Sequence, residues 1–484
     1  MLFLKKFQAG IFAMAVLFSL FSCVADQEES ASTNQKPNII FILADDLGYG
    51  DLSCYGQQHL NTPNIDKLAA EGLRFTQHYA GTTVCAPSRS ALMTGLHTGH
   101  TFIRGNKEVQ PEGQWPLPDS AYTLAEMLKA QGYITGAFGK WGLGYPGSEG
   151  DPNRQGFDEF LGYNCQRLAH NYYPRYLWHN QTQVHLPQNS GKLTGMYAPD
   201  YIHRKTLEFI EKNKDTSFFL YVPHVIPHAE LVAPDSVMDL FRGKFLPETP
   251  FAGTDDGENY RNGPYSSQSE PHAAFAAMIY LLDKQVGQIM DKLKEAGIDD
   301  NTIVIFSSDN GPHLEAGADP DYFDSNGPLK GYKRDLYEGG IRVPAIARWP
   351  GKISPGTTTD HVSAFWDLMP TLAELTGATA PDNLDGVSWL PTALNSGNQA
   401  EHPYLYWEFH EKGGRVAIRK GKWKAVKYDY NSSPNAPFEL YDLSQDVGET
   451  QNVATQFPEI LTEMEQILRT ARTNSPVFTF GSNP

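Results

Sequence analysis

The sequence is poor in cysteine, poor in positive charge and, past its N-terminal segment, without a long apolar run. Four cysteines occur in 484 residues. With Cys23 assigned to the N-terminal segment, Cys54, Cys85 and Cys165 remain; three thiols cannot all pair, so at least one is free or modified. Cys54–Cys165 is a candidate disulfide that spacing alone leaves open. Lys and Arg number 39 against 56 Asp and Glu, a formal net charge of −17. That balance argues against nucleic acid as a partner, because binding phosphates needs a basic face. It does not exclude a small anionic substrate: charges farther than ~8 Å are largely screened, so a few local cations can govern a pocket in an acidic protein. No later stretch reaches the ~20 apolar residues of a membrane-spanning helix, and no internal repeat is visible. What is present, 40% hydrophobic and 12% aromatic residues, describes a globular chain of two or three domains at most.

The N-terminus reads as a targeting segment. Lys5 and Lys6 precede a short apolar run, Ala9 to Ser22, which predicts a cleaved signal peptide over 1–22. The small residue before Cys23 is similar to a bacterial lipobox, which makes Cys23 a candidate lipidated first residue; ordinary cleavage after Ala25 is the alternative. Residues 23–36 are polar and read as a tether. Export to the periplasm or outer-membrane surface of a Gram-negative bacterium, with a lipid anchor in the outer membrane, is the expectation.

Short apolar runs then alternate with helical patterns. Ile39 to Ala44, Tyr133 to Phe138, Phe218 to Val222 and Ile303 to Ser307 are expected buried strands. Helices are expected over 64–71, 120–131, 200–213 and 273–296, the last with Phe275, Met278, Ile279, Leu282, Val286, Ile289, Met290 and Leu293 on one stripe. The alternation predicts an α/β fold with a mostly parallel sheet covered on both faces, over 37–385. Past 385 four short antiparallel strands and a helix from about 459 to 472 predict a small C-terminal α+β subdomain, 386–484. Each expected strand of the first part ends in polar residues: Asp45-Asp46, Gly139-Lys140, His224 to His228, Asp309-Asn310. Ligands of open parallel sheets bind beyond the carboxyl ends of the strands, so four separate strands can deliver these groups to one place.

Adjacent acids repel unless a cation lies between them. Asp45 and Asp46 after one strand, and Asp309 and Asn310 after a distant one, offer hard oxygen ligands that suit Ca²⁺, or less well Mg²⁺. Each pair alone is equally readable as turn chemistry; two pairs, both after strands, favour a metal. In Val84-Cys85-Ala86-Pro87-Ser88-Arg89, Pro87 suits the first turn of a helix, which sets Cys85 at a helix N-terminus.

Cys85-x-Pro87-Ser88-Arg89 resembles the modification signature of the type I sulfatases, in which this cysteine is oxidised to formylglycine. The resemblance extends through Pro37 to Asp51, Gly139-Lys140-Trp141, Pro223 to His228, Ser308 to Gly311 and Asn326 to Pro344. It implies an alkaline-phosphatase-like α/β sandwich, one Ca²⁺ held by Asp45, Asp46, Asp309, Asn310 and modified Cys85, and a maturation enzyme that generates the formylglycine. Arg89 would steady the aldehyde hydrate, Lys140, His228 and Lys333 would face the sulfate, and Lys330 stands where the family usually has Arg. A hydrate can expel sulfate and restore the aldehyde, which an ordinary Ser or Cys cannot.

One position departs from the family pattern: Gly142 stands where a His is usual, which removes the base expected there; His97 and His100 are candidate substitutes. This variant is similar to glycan-acting bacterial members, including ones taking galactose or N-acetylgalactosamine units. A sulfated oligosaccharide or polysaccharide is the expected substrate, with Arg104, His170 and Arg175 as candidate sugar- or sulfate-gripping residues and the aromatics of 170–179 as a subsite. The alternatives are a phosphonate or phosphodiester hydrolase of the same superfamily and a non-catalytic, glycan-binding lipoprotein.

Overall fold

Strand β1 (Asn38–Ala44) is buried along its whole length, and its alternating side chains divide between two cores. Ile40, Ile42 and Ala44 join the apolar cluster on one face of a sheet, while Ile39, Phe41 and Leu43 join that on the other. A strand covered on both sides has no polar face, which is why this run is continuously apolar. The computed structural model describes residues 36–480 apart from 259 and 434. The expected signal peptide, Cys23 and all but the last residue of the expected tether lie outside the described residues.

β1 sits centrally in a large mixed sheet with β2 (Leu73–Tyr79), β3 (Ile134–Lys140), β4 (Glu159–Tyr163), β5 (Tyr176–His179), β6 (Thr182–His185), β7 (Phe218–Pro223), β8 (Thr302–Ser308), β9 (Arg342–Arg348), β10 (Thr357–Thr359) and β11 (Ser363–Ala364). The order is β10-β2-β9-β8-β1-β7-β3-β4-β5-β6, with β11 also on β2. β8, β1, β7, β3 and β4 are mutually parallel, and β9 runs antiparallel between β8 and β2. The fold is the alkaline-phosphatase-like sandwich with a mostly parallel sheet. Because β1, β3, β7 and β8 point the same way, their polar ends emerge on one edge.

Helices cover both faces. Pro271–Glu295 lays its expected stripe, Phe275 through Leu293, into the first cluster. Leu124–Ala130 covers the other and starts on a capping box between Thr123 and Glu126. Trp389 and Ala393 still pack within this second cluster. A separate antiparallel sheet follows, β12 (Leu405–Phe409), β13 (Arg415–Lys420), β14 (Trp423–Lys427) and β15 (Glu439–Asp442) in that order. One of its faces carries the helix Pro458–Thr470. The other joins Leu405, Trp407, Phe409 and Val426 to Tyr79, Val84, Ala91 and Trp366 of the main body. The small sheet thereby buttresses the loop and helix that hold Cys85. Cys54 and Cys165 are both free thiols, so the candidate disulfide does not form.

Candidate active site

The strand ends meet where expected. Asp45 and Asp46 follow β1, Asp309 and Asn310 follow β8, Lys140 closes β3 and His228 lies in the loop after β7. Asp46 takes a positive φ of 64°, and its N–H donates to Asp309 Oδ1 at 3.1 Å. Asn310 Nδ2 donates to Asp46 Oδ1 at 2.7 Å. The two turns are thus tied by their own carboxylates. Cys85 opens the fully buried helix Cys85–Thr94, whose Ser88 hydroxyl donates to the Asp309 carbonyl at 2.6 Å and so fixes the helix against the end of β8.

Around Cys85 Sγ stand Asp45 Oδ1 and Lys140 Nζ, each at 3.4 Å. Lys140 Nζ also donates to Asp45 Oδ2 at 2.6 Å, and Lys333 Nζ to Asp46 Oδ2 at 2.7 Å. Arg89 Nε and Nη2 both donate to Asp309 Oδ2, at 3.0 and 2.8 Å, and Nη1 to the Lys140 carbonyl. His228 turns Nδ1 to the Ala229 carbonyl, so that nitrogen carries the hydrogen, and Nε2 faces Asp46 Oδ2 at 3.5 Å. Ligand atoms of Asp45, Asp46, Cys85 and His228 all lie within 4.8 Å of one another.

Burial dominates the electrostatics, and neighbours decide the outcome. Burial and the Asp45 charge push the Cys85 thiol well up, outweighing the helix N-terminus. The surroundings of an unmodified Cys85 therefore favour its thiol over its thiolate. Burial opposes the charge of Asp45, yet Lys140, Arg89 and Lys333 hold its carboxyl below the usual range. Burial also works against the ammonium groups of Lys140 and Lys333, but Asp45 and Asp46 respectively keep both above their ordinary value. Asp309 goes the other way, to about 6, through burial and the adjacent Asp45. Burial, then Lys333 and Lys140, pull His228 well below the ordinary histidine range.

The donor set fits a hard dication. Three buried aspartates converge, and Asn310 Oδ1 is buried with no hydrogen-bond partner among the described residues, an arrangement that is costly unless something accepts that lone pair. Asp45, Asp46, Asp309 and Asn310 offer only oxygen, which suits Ca²⁺ or Mg²⁺ rather than zinc.

The remaining residues divide. His170 stacks on His228 at 5.2 Å between ring centroids and borders the site; its pKa is lowered to about 4 by burial and by Lys140. Arg175 is exposed and lines a neighbouring groove of about 590 Å³ with Arg167, Arg261, Glu112, Tyr176 and Trp178. Of the expected aromatic subsite only Tyr176 and Trp178 reach that groove; Tyr172 is buried, and its hydroxyl serves the Val225 and His228 carbonyls at 2.5 and 2.7 Å. Arg104 and Lys330 point elsewhere. Arg104 is buried against Glu408 at 3.3 Å and the Thr473 carbonyl, and Lys330 Nζ sits 3.8 Å over the Tyr337 ring and donates to the Glu449 carbonyl. Both cations brace the C-terminal sheet, where opposite charge and aromatic faces were available. His97 and His100 lie past the far end of the Cys85 helix, roughly 15 Å along its axis, stacked on each other and bound to Asp385; they do not replace a base at the nucleophile.

Several polar groups of the site carried no sequence signal. Glu315 bridges His313 Nδ1 at 3.3 Å and Lys333 Nζ at 3.8 Å, and His313 stacks on His228 at 5.8 Å. Asn106, exposed, accepts the Ala86 N–H at 3.1 Å beside the nucleophile. All three sit in loops with no recurring spacing.

Comparison with known proteins decides the class. The Sulfatase family model matches residues 37–378, and a model described as N-sulphoglucosamine sulphohydrolase, C-terminal, matches 331–474. The chain belongs to the sulfatase family. It is 34% identical to arylsulfatase A of Homo sapiens over 92% of this chain and 90% of that one. It is 30% identical to N-acetylgalactosamine-6-O-sulfatase of Bacteroides thetaiotaomicron over 92% of this chain and 95% of the relative. The structure of Ps i-CgsB in complex with k-i-k-neocarrahexaose superposes with a TM-score of 0.76 and 31% identity, over 93% of this sulfatase and 96% of that chain. The protein is a sulfuric ester hydrolase.

Proposed function

We propose that this sulfatase removes sulfate from a sulfated oligosaccharide or polysaccharide, on galactose or N-acetylgalactosamine units, using formylglycine made from Cys85 and one Ca²⁺. The observation that carries the reading is the state of Cys85: a buried thiol with a raised pKa, 3.4 Å from both Asp45 and Lys140. As a thiol it is a poor nucleophile; as a hydrated aldehyde it would supply a nucleophile that can shed sulfate again. Asp45, Asp46, Asp309 and Asn310 would hold the Ca²⁺, whose charge lowers the pKa of an oxygen nucleophile and neutralises sulfate.

The chain's own groups do the rest. Lys140 and Lys333, both protonated and buried, offer preorganised positive charge to the sulfate oxygens. Arg89, clamped on Asp309, holds the Lys140 loop through its carbonyl. His228 Nε2 is placed to give a proton to the leaving sugar oxygen. Arrival of an anionic ester offsets the Lys333 and Lys140 charges that depress its pKa and so favours the imidazolium needed for this step. Sugar substrates are supported by the relatives: one is an N-acetylgalactosamine-6-O-sulfatase, and one structural neighbour holds a neocarrahexaose. The apolar N-terminal run and Cys23 support export, with lipidation and outer-membrane tethering as part of the proposal, and a formylglycine-generating enzyme as a required partner.

The test is intact mass and turnover on protein from a host able to mature it. Peptide 85 should be lighter by about 18 Da, the change from –CH₂SH to –CHO, and Cys85→Ala should lose at least ~10³-fold in turnover of 4-nitrophenyl sulfate. An unmodified Cys85 in fully active enzyme, or faster turnover of a phosphodiester than of any sulfate ester, would overturn it.

A further inference from the structure

On the loop that follows β4, alongside the end of β3, are two side chains whose amide atoms have no hydrogen-bond partner among the described residues. Backbone 163–164 runs along 141–142: Trp141 N–H donates to the Tyr163 carbonyl at 2.9 Å and Gly142 N–H to that of Asn164 at 3.1 Å. Tyr163 and Cys165 join the apolar cluster. Asn164 and Gln166 do not, although they are only 1% and 7% exposed. Nδ2 and Oδ1 of Asn164, and Nε2 and Oε1 of Gln166, are all buried and have no hydrogen-bond partner among the described residues. A buried polar atom left unpaired is costly, so two unpartnered amides at one strand end mark a place where something else completes the bonding.

Gly142 shows how the space is used. Its φ is +77°, and a Cβ there would stand 2.3 Å from Gln166 Nε2. The Gln166 amide thus occupies the volume a side chain at 142 would need, two residues from Lys140, whose Nζ is 3.4 Å from Cys85 Sγ.

We infer that Asn164 and Gln166 bind hydroxyl groups of the sugar that carries the sulfate, and so set which sugar is accepted. The chemistry selects that partner. An anion needs donors only, and Lys140 and Lys333 supply those; the amide oxygens would repel it. A hydroxyl both donates and accepts, as each primary amide does. A site built to hydrogen-bond a hydroxyl discriminates strongly, because a wrong ligand leaves buried groups unpaired. The inference rests on the reading of the protein as a carbohydrate sulfatase.

Near-isosteric variants without polar atoms, Asn164→Leu and Gln166→Met, test it. Kinetics would use whichever member of a panel of galactose and N-acetylgalactosamine mono- and oligosaccharides, sulfated at each defined position, the wild type turns over fastest, with inorganic sulfate as competing inhibitor. The expected result is a fall in kcat/KM of at least about tenfold, an inhibition constant for inorganic sulfate within about twofold of wild type, and an unliganded melting temperature equal to or above wild type, because orphaned groups have been removed. Unchanged kcat/KM would overturn the inference. So would a lowered melting temperature accompanied by weaker inhibition by inorganic sulfate, since the amides would then be structural. A wild type inert toward the whole panel would instead overturn the underlying carbohydrate reading, and is recognised without any variant.

Discussion

Glu408 and Asp309 are both fully buried carboxylates, each with an arginine against it, and their pKa values move in opposite directions. Burial opposes the charge of both. Around Glu408 it is outweighed by His410, Arg104 and Arg472, and the carboxyl sits at about 2. Around Asp309 burial is reinforced by Asp45 and Asp46, Arg89 offsets only part of it, and the carboxyl rises to about 6. At the contact between the large sheet and the C-terminal sheet, the charge of Glu408 is answered within the protein by Arg104, Arg472 and His410. The active site is not answered in this way: Asp309 stays above its usual range despite Arg89, and Asn310 Oδ1 has no hydrogen-bond partner among the described residues, a deficit that a dication and a substrate can make good. Function resides where the folded chain is unfinished.

The largest effect expected from this contrast is catalytic. His228→Ala should lower kcat by ~10²–10⁴-fold on a sulfated sugar, with a clearly smaller loss on 4-nitrophenyl sulfate, whose leaving group needs no proton; equal losses on both would remove His228 as the acid. At the completed interface the effect should be on stability. Glu408→Gln leaves Arg104 and Arg472 without their counter-charge and should cost about 3 kcal/mol by denaturant unfolding, while kcat of the folded enzyme is preserved.

The pH dependence of that loss is set by sign. The folded pKa of Glu408 lies below its ordinary 4.5, so its contribution is complete above that pH and disappears as pH falls toward about 2. The Glu408→Gln deficit should therefore shrink over this window, as melting of both proteins would reveal; a deficit that grew on acidification would contradict the network described. Calcium should act only at the other region. Adding it to chelator-treated protein at about a hundred times its dissociation constant should raise stability by about 2.7 kcal/mol, equally in wild type and Glu408→Gln. The smallest effect is at the rim: Arg175→Ala should weaken KM for a sulfated oligosaccharide by a few-fold, as expected of ~0.5–1 kcal/mol for an exposed ion pair, and leave a sulfated monosaccharide untouched.

The chain's periodicities and motifs determined much of this by themselves. Short continuous apolar runs bounded by polar residues, such as Ile39 to Ala44, read as strands buried on both faces, and polar residues at the ends of parallel strands share an edge, so the sheet and the vicinity of Asp45, Lys140, His228 and Asp309 were legible before any coordinate. Cys85 was legible because the modification proposed for it needs a contiguous signature. Arg104 and Lys330 were not, because a cation's sequence neighbours do not reveal whether Glu408 or a substrate lies opposite. Nor were Glu315, Asn106, Asn164 and Gln166, which stand in irregular loops and acquire meaning only from what faces them. Local pattern dictates how a segment folds; which buried charge is answered and which is left waiting depends on groups hundreds of residues apart, and only tertiary packing brings those together.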